Sequence, residues 1–322
     1  MKLLAVPLVI AAAGSIITGH IQREANQNAV LKAYFDKLED LTFTRKLLTE
    51  TPDEGAIVLA RGRTVAALRE LDHVRKTQLI AFLAASDISR IKEESAEPVI
   101  SFKGQNLSDL DLHGINLSNV DFQSSNLDRA NLQGATLVST NLQGAFLARA
   151  NLQGATLDSA NLQGATLVST NLQGVFLARA NLQGATLDSA NFQRATLDSA
   201  NLQWATLDSA DLQEASLYNA NLQWAFLASA NLQEATLASA NLQWAFLASA
   251  NLEGANLDRA NLEGANLVRA NLEGANLVRA NLEGAKFLTQ EQLTTAKLCQ
   301  TTLPEGIALN PNRDCQELGI DP

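Results

Sequence analysis

The sequence predicts a mainly β chain, a four-sided β-helix solenoid with an N-terminal α-helical region ahead of it. Three observations carry this prediction. From Ile100 to Thr289 an apolar residue recurs every five positions, through Phe102, Leu107, Leu112, Leu117, Phe122, Leu127 and Leu132 to Leu282 and Phe287. Two residues before these centres stands a small or apolar residue, nearly always Ala, as at Ala130, Ala135, Ala145 and Ala150. The other three positions of each unit are mostly Asn, Asp, Gln, Glu, Ser, Thr, Gly or Arg.

A period of five matches neither the ~3.6-residue turn of a helix nor the two-residue alternation of a flat strand. It suits a chain that turns one corner per unit, so that four units close a square of about 20 residues. The centre and the small residue two before it point inward, and the other three point out. Only Ala fits beside a large Leu in so narrow a square. The 38 units from Phe102 to Phe287 make about 9.5 coils. At the ~4.8 Å spacing of paired strands the column is about 45 Å long. One unit buries too little to be stable alone, so stability comes from stacking.

Taken in order, residues 1–21 read as a membrane anchor or signal segment. Residues 3 to 19 carry no charge. A helix over them spans about 25 Å, a little under the ~30 Å hydrocarbon core. Two readings stand: a transmembrane anchor, or a signal peptide cleaved after Ala11-Ala12-Ala13. Residues 22–99 read as a helical domain and linker. Val30, Leu31, Tyr34, Phe35, Leu38, Leu41 and Leu48 recur at helical spacing, and Thr51-Pro52-Asp53-Glu54-Gly55 breaks the helix. A second helix runs from about Asp53 to Leu71, and Asp72 caps a third. Ile88 to Pro98 is the linker. The repeat column occupies 100–289. In 290–322, Thr289 and Gln292 resemble a capping box that opens a helix to about Leu298, followed by a tail.

Composition narrows the function. The 322 residues include 46% hydrophobic but only 5% aromatic side chains, and the net charge is −10. No basic cluster is present to neutralise phosphates, so no nucleic-acid partner is expected. The histidines His20, His73 and His113 are scattered, no Cys/His metal spacing exists, and no Ser or Thr has a base arranged beside it. No catalytic, metal or cofactor site is expected, and the chain is not read as an enzyme. Cys299 and Cys315 are either two free thiols or one disulfide closing the tail.

Units such as Ala130-Asn131-Leu132-Gln133-Gly134 resemble the A(D/N)LXX signature of the pentapeptide-repeat family. The resemblance implies a right-handed quadrilateral β-helix. Leu31 to Leu83, with Ala33-Tyr34-Phe35-Asp36 and Ala60-Arg61-Gly62-Arg63-Thr64, resembles the helical region before such repeats in membrane-anchored cyanobacterial members. The tail from Cys299-Gln300-Thr301-Thr302 through Pro304-Glu305-Gly306 to Cys315 is similar to disulfide-closed tails of lumenal members. These likenesses imply a cyanobacterial protein in the thylakoid lumen or periplasm, with secretion after signal cleavage or a cytoplasmic-facing anchor as alternatives.

Folding the chain on a 20-residue coil turns spacing into columns. Trp204, Trp224 and Trp244, all the tryptophans of the chain, fall 20 apart at an outward position usually held by Gly. Phe226 and Phe246 lie outward two residues beyond the last two. These five residues form a candidate protein-docking stripe, although they also suit plain packing against one another. The Asn columns read as structural ladders, and Asp158, Asp188, Asp198 and Asp208 as solvated carboxylates. Arg259 and Arg279, with Arg269 on the opposite wall, read as weak surface pairs.

The function read from these features is a non-catalytic, membrane-associated scaffold or adaptor, docking an unknown protein, such as a membrane complex, through the column. Two rivals stand beside it. One is a DNA-mimic inhibitor of a type II topoisomerase, as in some members of the family. Against it, the column holds 16 acidic and 9 basic residues between Phe102 and Thr289 with no continuous acidic stripe. The other is a passive spacer.

Overall fold

The structure is a computed structural model that describes residues 5–44, 47, 53–86, 88–89 and 98–321, without the side chains of residues 5–19 and 43–44. The chain divides into two compact units, Met1–Ile88 and Ser89–Pro322.

The first unit is built from helices α1 (Ala5–Thr44), α2 (Glu54–Glu70) and α3 (His73–Ala85). Both short helices start where a carboxylate satisfies an orphan amide: Asp53 Oδ1 accepts from the Gly55 amide (2.8 Å) and Asp72 Oδ1 from the Arg75 amide (3.0 Å). Leu38, Leu41, Ala56, Ala60, Leu68, Leu79, Ile80 and Leu83 form the core between them. Polar groups of α1 tie the other two helices down. Gln27 donates to the Glu70 carbonyl (3.1 Å) and accepts from the Asp72 amide (2.6 Å), so one side chain closes the junction between α2 and α3. Arg75 donates to Glu24, Asn28 and Asp72. The apolar leader and the amphipathic stretch expected after it belong to one continuous helix, α1. Residues 3 and 4 of that leader, and all its side chains, lie outside the described residues, as does most of the linker expected at 88–98. Among the described residues no helix is long and apolar enough to cross a membrane.

The second unit is the column. Isolated parallel bridges join residues 20 apart without a break from Asn106↔Asn126 to Asn266↔Lys286. They fall on four faces that follow one another every five residues, as at Asn126, Asn131, Thr136 and Asn141. Within a unit the chain turns by a β-turn. The Ala135 amide donates to the Leu132 carbonyl (3.0 Å), and the turn's third residue, Gly134, has φ 62°, the pattern of a type II turn. The Leu132 and Gly134 amides donate to the Asn151 and Gln153 carbonyls on the next coil, at 2.7 and 2.9 Å. The Asn151 amide returns a bond to Ala130 (2.9 Å). The backbone thus satisfies its polar groups between coils. Leu centres and Ala partners line the interior with almost no exposure, and Phe102 and Phe122 stack inside it with centroids 5.4 Å apart. Burying one such Leu contributes about 1.5–3 kcal/mol.

At the C-terminal end the structure departs from the sequence expectation. Phe287 does not point inward: it is 67% exposed. The Thr289/Gln292 capping box forms, with amide-to-side-chain bonds of 3.0 and 3.3 Å, but it opens only a single 3-10 turn, Glu291–Leu293. The helix expected to reach Leu298 is replaced by two further parallel bridges, Asn276↔Lys297 and Asn281↔Thr302, now 21 residues apart. The column therefore continues past Thr289, to Thr302. The last coil's edge offers the Ala275 and Ala280 carbonyls, and the Lys297 and Thr302 amides pair with them at 2.9 Å each. Those ladder bonds outcompete continuation of a short helix. Where the 3-10 turn interrupts the ladder, Gln292 Nε2 donates to the Leu267 and Ala270 carbonyls (2.9 and 2.8 Å).

Candidate functional site

Every unit from the one centred on Phe102 to the one centred on Leu282 has one residue with φ between 54° and 66°, two positions after its centre. Glycine adopts this left-handed conformation freely, whereas other residues pay about 1–2 kcal/mol. Ser, Arg, Glu, Asn and Asp also stand there, and so do Trp204, Trp224 and Trp244, at 62°, 62° and 59°. The spacing of 20 gave the column these tryptophans share. The strained backbone beneath them has no signal in the spacing, although the Gly consensus at the position hints at it.

At this position the side chains of Ser124, Glu234 and Trp244 lean toward the following coil. Trp204 and Trp224 stack with centroids 5.2 Å apart and planes within 3°, and Trp224 and Trp244 stack at 5.5 Å and 11°. The indole of Trp244 lies over Gly264, the one buried glycine among the described turn glycines of the column. On the neighbouring face Phe226 and Phe246 stack at 4.8 Å and 3°. The structure thus brings all five sequence-predicted residues onto one corner and the wall beside it. Trp204, at the end of the stack, is 48% exposed, and the other four rings are half-buried. Lys286 Nζ sits 5.4 Å from the Trp244 ring centroid, a cation–π contact. Thr206, bridged to Phe226, buries its hydroxyl without a hydrogen-bond partner, an uncommon cost in a native structure. The other exposed aromatics of the column, Phe146, Phe176, Tyr218 and Phe287, have no ring stacked on them.

Side-chain ladders stiffen this surface. Gln203 Nε2 donates to Gln223 Oε1 (3.1 Å) beside the tryptophans, and the same bond runs back coil by coil through Gln183, Gln163, Gln143 and Gln123. The sequence reading missed this ladder, whose signal was the Gln after every second Leu up to Gln243. The Asn columns do similar structural duty: Asn131 Oδ1 accepts from the Gln133 amide and from Asn151 Nδ2, each at 3.3 Å. Asp158 and Asp188 accept from backbone amides of the next coil, Ala178 (2.9 Å) and Asp208 (3.1 Å). Close ion pairs form between coils at Arg129–Asp109 (2.6 Å) and Arg194–Glu214 (2.9 Å), and neither was expected. Arg259 instead approaches its neighbour Asp258, at 3.7 Å. All are exposed enough to contribute little.

Elsewhere, Cys299 and Cys315 are joined by a disulfide, buried with Val278 and packed by Ile320. His113 hydrogen-bonds Asp111 (2.9 Å), which holds that carboxyl below its usual range. Among the described residues no three His, Cys, Asp or Glu side chains converge as a metal site. A cavity of about 360 Å³ in the helical unit is lined by Phe35, Leu38, Glu39, Thr42, Phe82, Ser86 and Ile88.

The family model for pentapeptide repeats matches this chain in 8 copies over residues 106–144, 135–174, 177–213, 215–254 and 255–287, more than half of its length. Among solved structures, HetL, a pentapeptide repeat protein involved in heterocyst differentiation regulation in the cyanobacterium Nostoc sp. strain PCC 7120, is similar. It is 35% identical, over 64% of this chain and 92% of its own, with a TM-score of 0.27. QnrB1, a plasmid-mediated fluoroquinolone resistance protein, is 15% identical over 61% of this chain and 95% of its own, with a TM-score of 0.34. A pentapeptide repeat protein of the Arabidopsis thaliana thylakoid lumen is 25% identical over 46% of this chain and 92% of its own, with a TM-score of 0.20. No curated protein matches.

Proposed function

Because the chain belongs to the pentapeptide-repeat family, we propose that it is a non-catalytic protein-interaction column whose docking surface is the corner bearing Trp204, Trp224, Trp244, Phe226 and Phe246. The observation that carries this reading is the tryptophan stack in left-handed backbone. Three bulky residues occupy positions where Gly costs least, and they keep their rings at a surface. Strain of this kind, together with a contiguous aromatic patch, is characteristic of interaction sites. Stacking offsets part of the strain, about 0.5–1.5 kcal/mol per pair, and a bound protein would bury the rest of the rings.

The mixed wall chemistry speaks against DNA mimicry, and so against a type II topoisomerase as the partner. Acidic side chains such as Asp158 and Asp188 are spent on backbone amides of the next coil and alternate with Arg and neutral residues. The buried disulfide suits an oxidising compartment, and we place the column there. The test is crosslinking and affinity capture from native extracts with the wild type and a Trp204→Ser/Trp224→Ser/Trp244→Ser variant of unchanged far-ultraviolet circular dichroism. A defined partner lost in the variant supports the reading, and an identical captured set overturns it.

A further inference from the structure

We infer that the occupant of the aromatic corner is a second copy of this chain, laid antiparallel across it. This rests on the reading of that corner as a docking surface and names its partner. Charge and register on this wall point to that pairing. Asp188 and Arg269 lie on the same edge of the aromatic wall, each about two coils from the level of Trp224 and Phe226, on opposite sides of it. Arg269 is exposed, and among the described residues it makes no ion pair. Asp188 is half-exposed and uses one carboxylate oxygen on the Asp208 amide.

A two-fold axis across the wall at the level of Trp224 reverses the coil order and keeps each edge facing itself. It lays Trp224 and Phe226 over their own counterparts, Trp204 over Trp244, and Asp188 over Arg269, twice per dimer. On the opposite edge Gln183 meets Glu263. Asp208 falls opposite Ser249, and no carboxylate meets a carboxylate. Such a patch is self-complementary in the sense an isologous interface requires. A parallel pairing about an axis along the column also makes one ion pair per partner, Arg269 with Glu263, but it sets the tryptophans against the other edge, Trp224 against Ala228 and Ser229, instead of against one another. The matched stretch, from the level of Asp188 to that of Arg269, covers five coils, roughly 24 Å at ~4.8 Å per coil. That places the interface among the small ones, below ~1,200 Å² in total, and a weak, reversible dimer is expected.

The experiment is sedimentation equilibrium of the full chain over a wide concentration range. Asp188→Lys and Arg269→Asp are the probes, because the same turn positions already accept Lys103 and Asp109. Wild type should dimerise. Each single reversal should weaken the dimer about tenfold by opposing like charges, and the double variant should restore it. Wild type that stays monomeric overturns the self-pairing, while a different protein crosslinked at this corner would keep the docking reading intact. A dimer that survives the triple Trp→Ser change overturns both. A wild-type dimer that the double charge swap fails to restore overturns the antiparallel register.

Discussion

The indole of Trp244 occupies the space in which Gly264, one coil further on, would carry a side chain: a Cβ built there comes within 2.4 Å of Trp244 Cε3. Glycine 264 is therefore retained for the ring above it as well as for its own φ of 66°. Gly184, at the other end of the same column, has φ 63° and nothing within 4 Å of such a Cβ. The pair gives a controlled comparison. Gly184→Ala should cost only the left-handed penalty, about 1 kcal/mol. Gly264→Ala should cost that and also displace the indole, weakening the exciton signal of the stacked tryptophans in near-ultraviolet circular dichroism. Equal effects of the two changes would mean that the ring does not rest on Gly264.

Core volume should govern stability along the column. Leu207 is fully buried, its amide bonded to the Phe226 carbonyl at 2.7 Å. Leu207→Ala should destabilise by about 2–5 kcal/mol, whereas exposed Tyr218→Ala should lie within ~0.5 kcal/mol. Chemical denaturation followed by circular dichroism checks the contrast.

The helical unit carries a titration. Burial pushes the Tyr34 phenol from 10.0 up to about 12, against a smaller lowering from its 2.8 Å hydrogen bond to Thr64. A group raised above its unfolded value contributes stability that is intact below the unfolded pKa and lost as pH rises toward the folded one. Helix α1 should therefore lose its packing on α2 between about pH 10 and 12. Tyr34→Phe should remove that alkaline loss at a cost of about 1 kcal/mol near neutrality, because Thr64 keeps its 2.9 Å bond to the Ala60 carbonyl. Helical circular dichroism against pH reads both effects.

The period of five made the column legible because it is dictated by the narrow square itself: one large and one small inward residue per corner leave the chain little other choice. Asp53 and Asp72 likewise marked the starts of α2 and α3, since a carboxylate before an apolar run has a direct use on the orphan amides there. The end of the column was not legible. Thr289 and Gln292 do form a capping box, but whether a helix follows depends on carbonyls of Ala275 and Ala280 that become neighbours only once the coils are stacked. Phe287 kept the five-residue spacing and still turned outward, because the left-handed residue here is Phe287 itself, at φ 59°, and not the residue two positions after the centre. At the aromatic corner, spacing gave the columns of Trp204, Trp224 and Trp244, while ring tilt, the cover over Gly264 and the approach of Lys286 are facts of geometry alone.

The tail should depend on its crosslink. The Cys299 carbonyl accepts from the Arg279 amide (2.8 Å), so the disulfide to Cys315 pins the closing loop to the last coil. Reduction, or Cys315→Ser, should lower stability by about 2–4 kcal/mol. The loss should begin at the C-terminal coil, seen as faster amide exchange at Arg279 and Thr302 while Leu132 stays protected.

The central claim is that one wall of this column binds and the others do not. Photocrosslinking tests it most directly, with a benzophenone amino acid placed at Phe226 or at Phe176, a 48% exposed aromatic on the opposite wall. The account predicts a specific crosslinked product from position 226 and none from 176, with the 226 product lost when the three tryptophans become serine. Equal crosslinking from both walls, or a 226 product indifferent to the tryptophans, would contradict it.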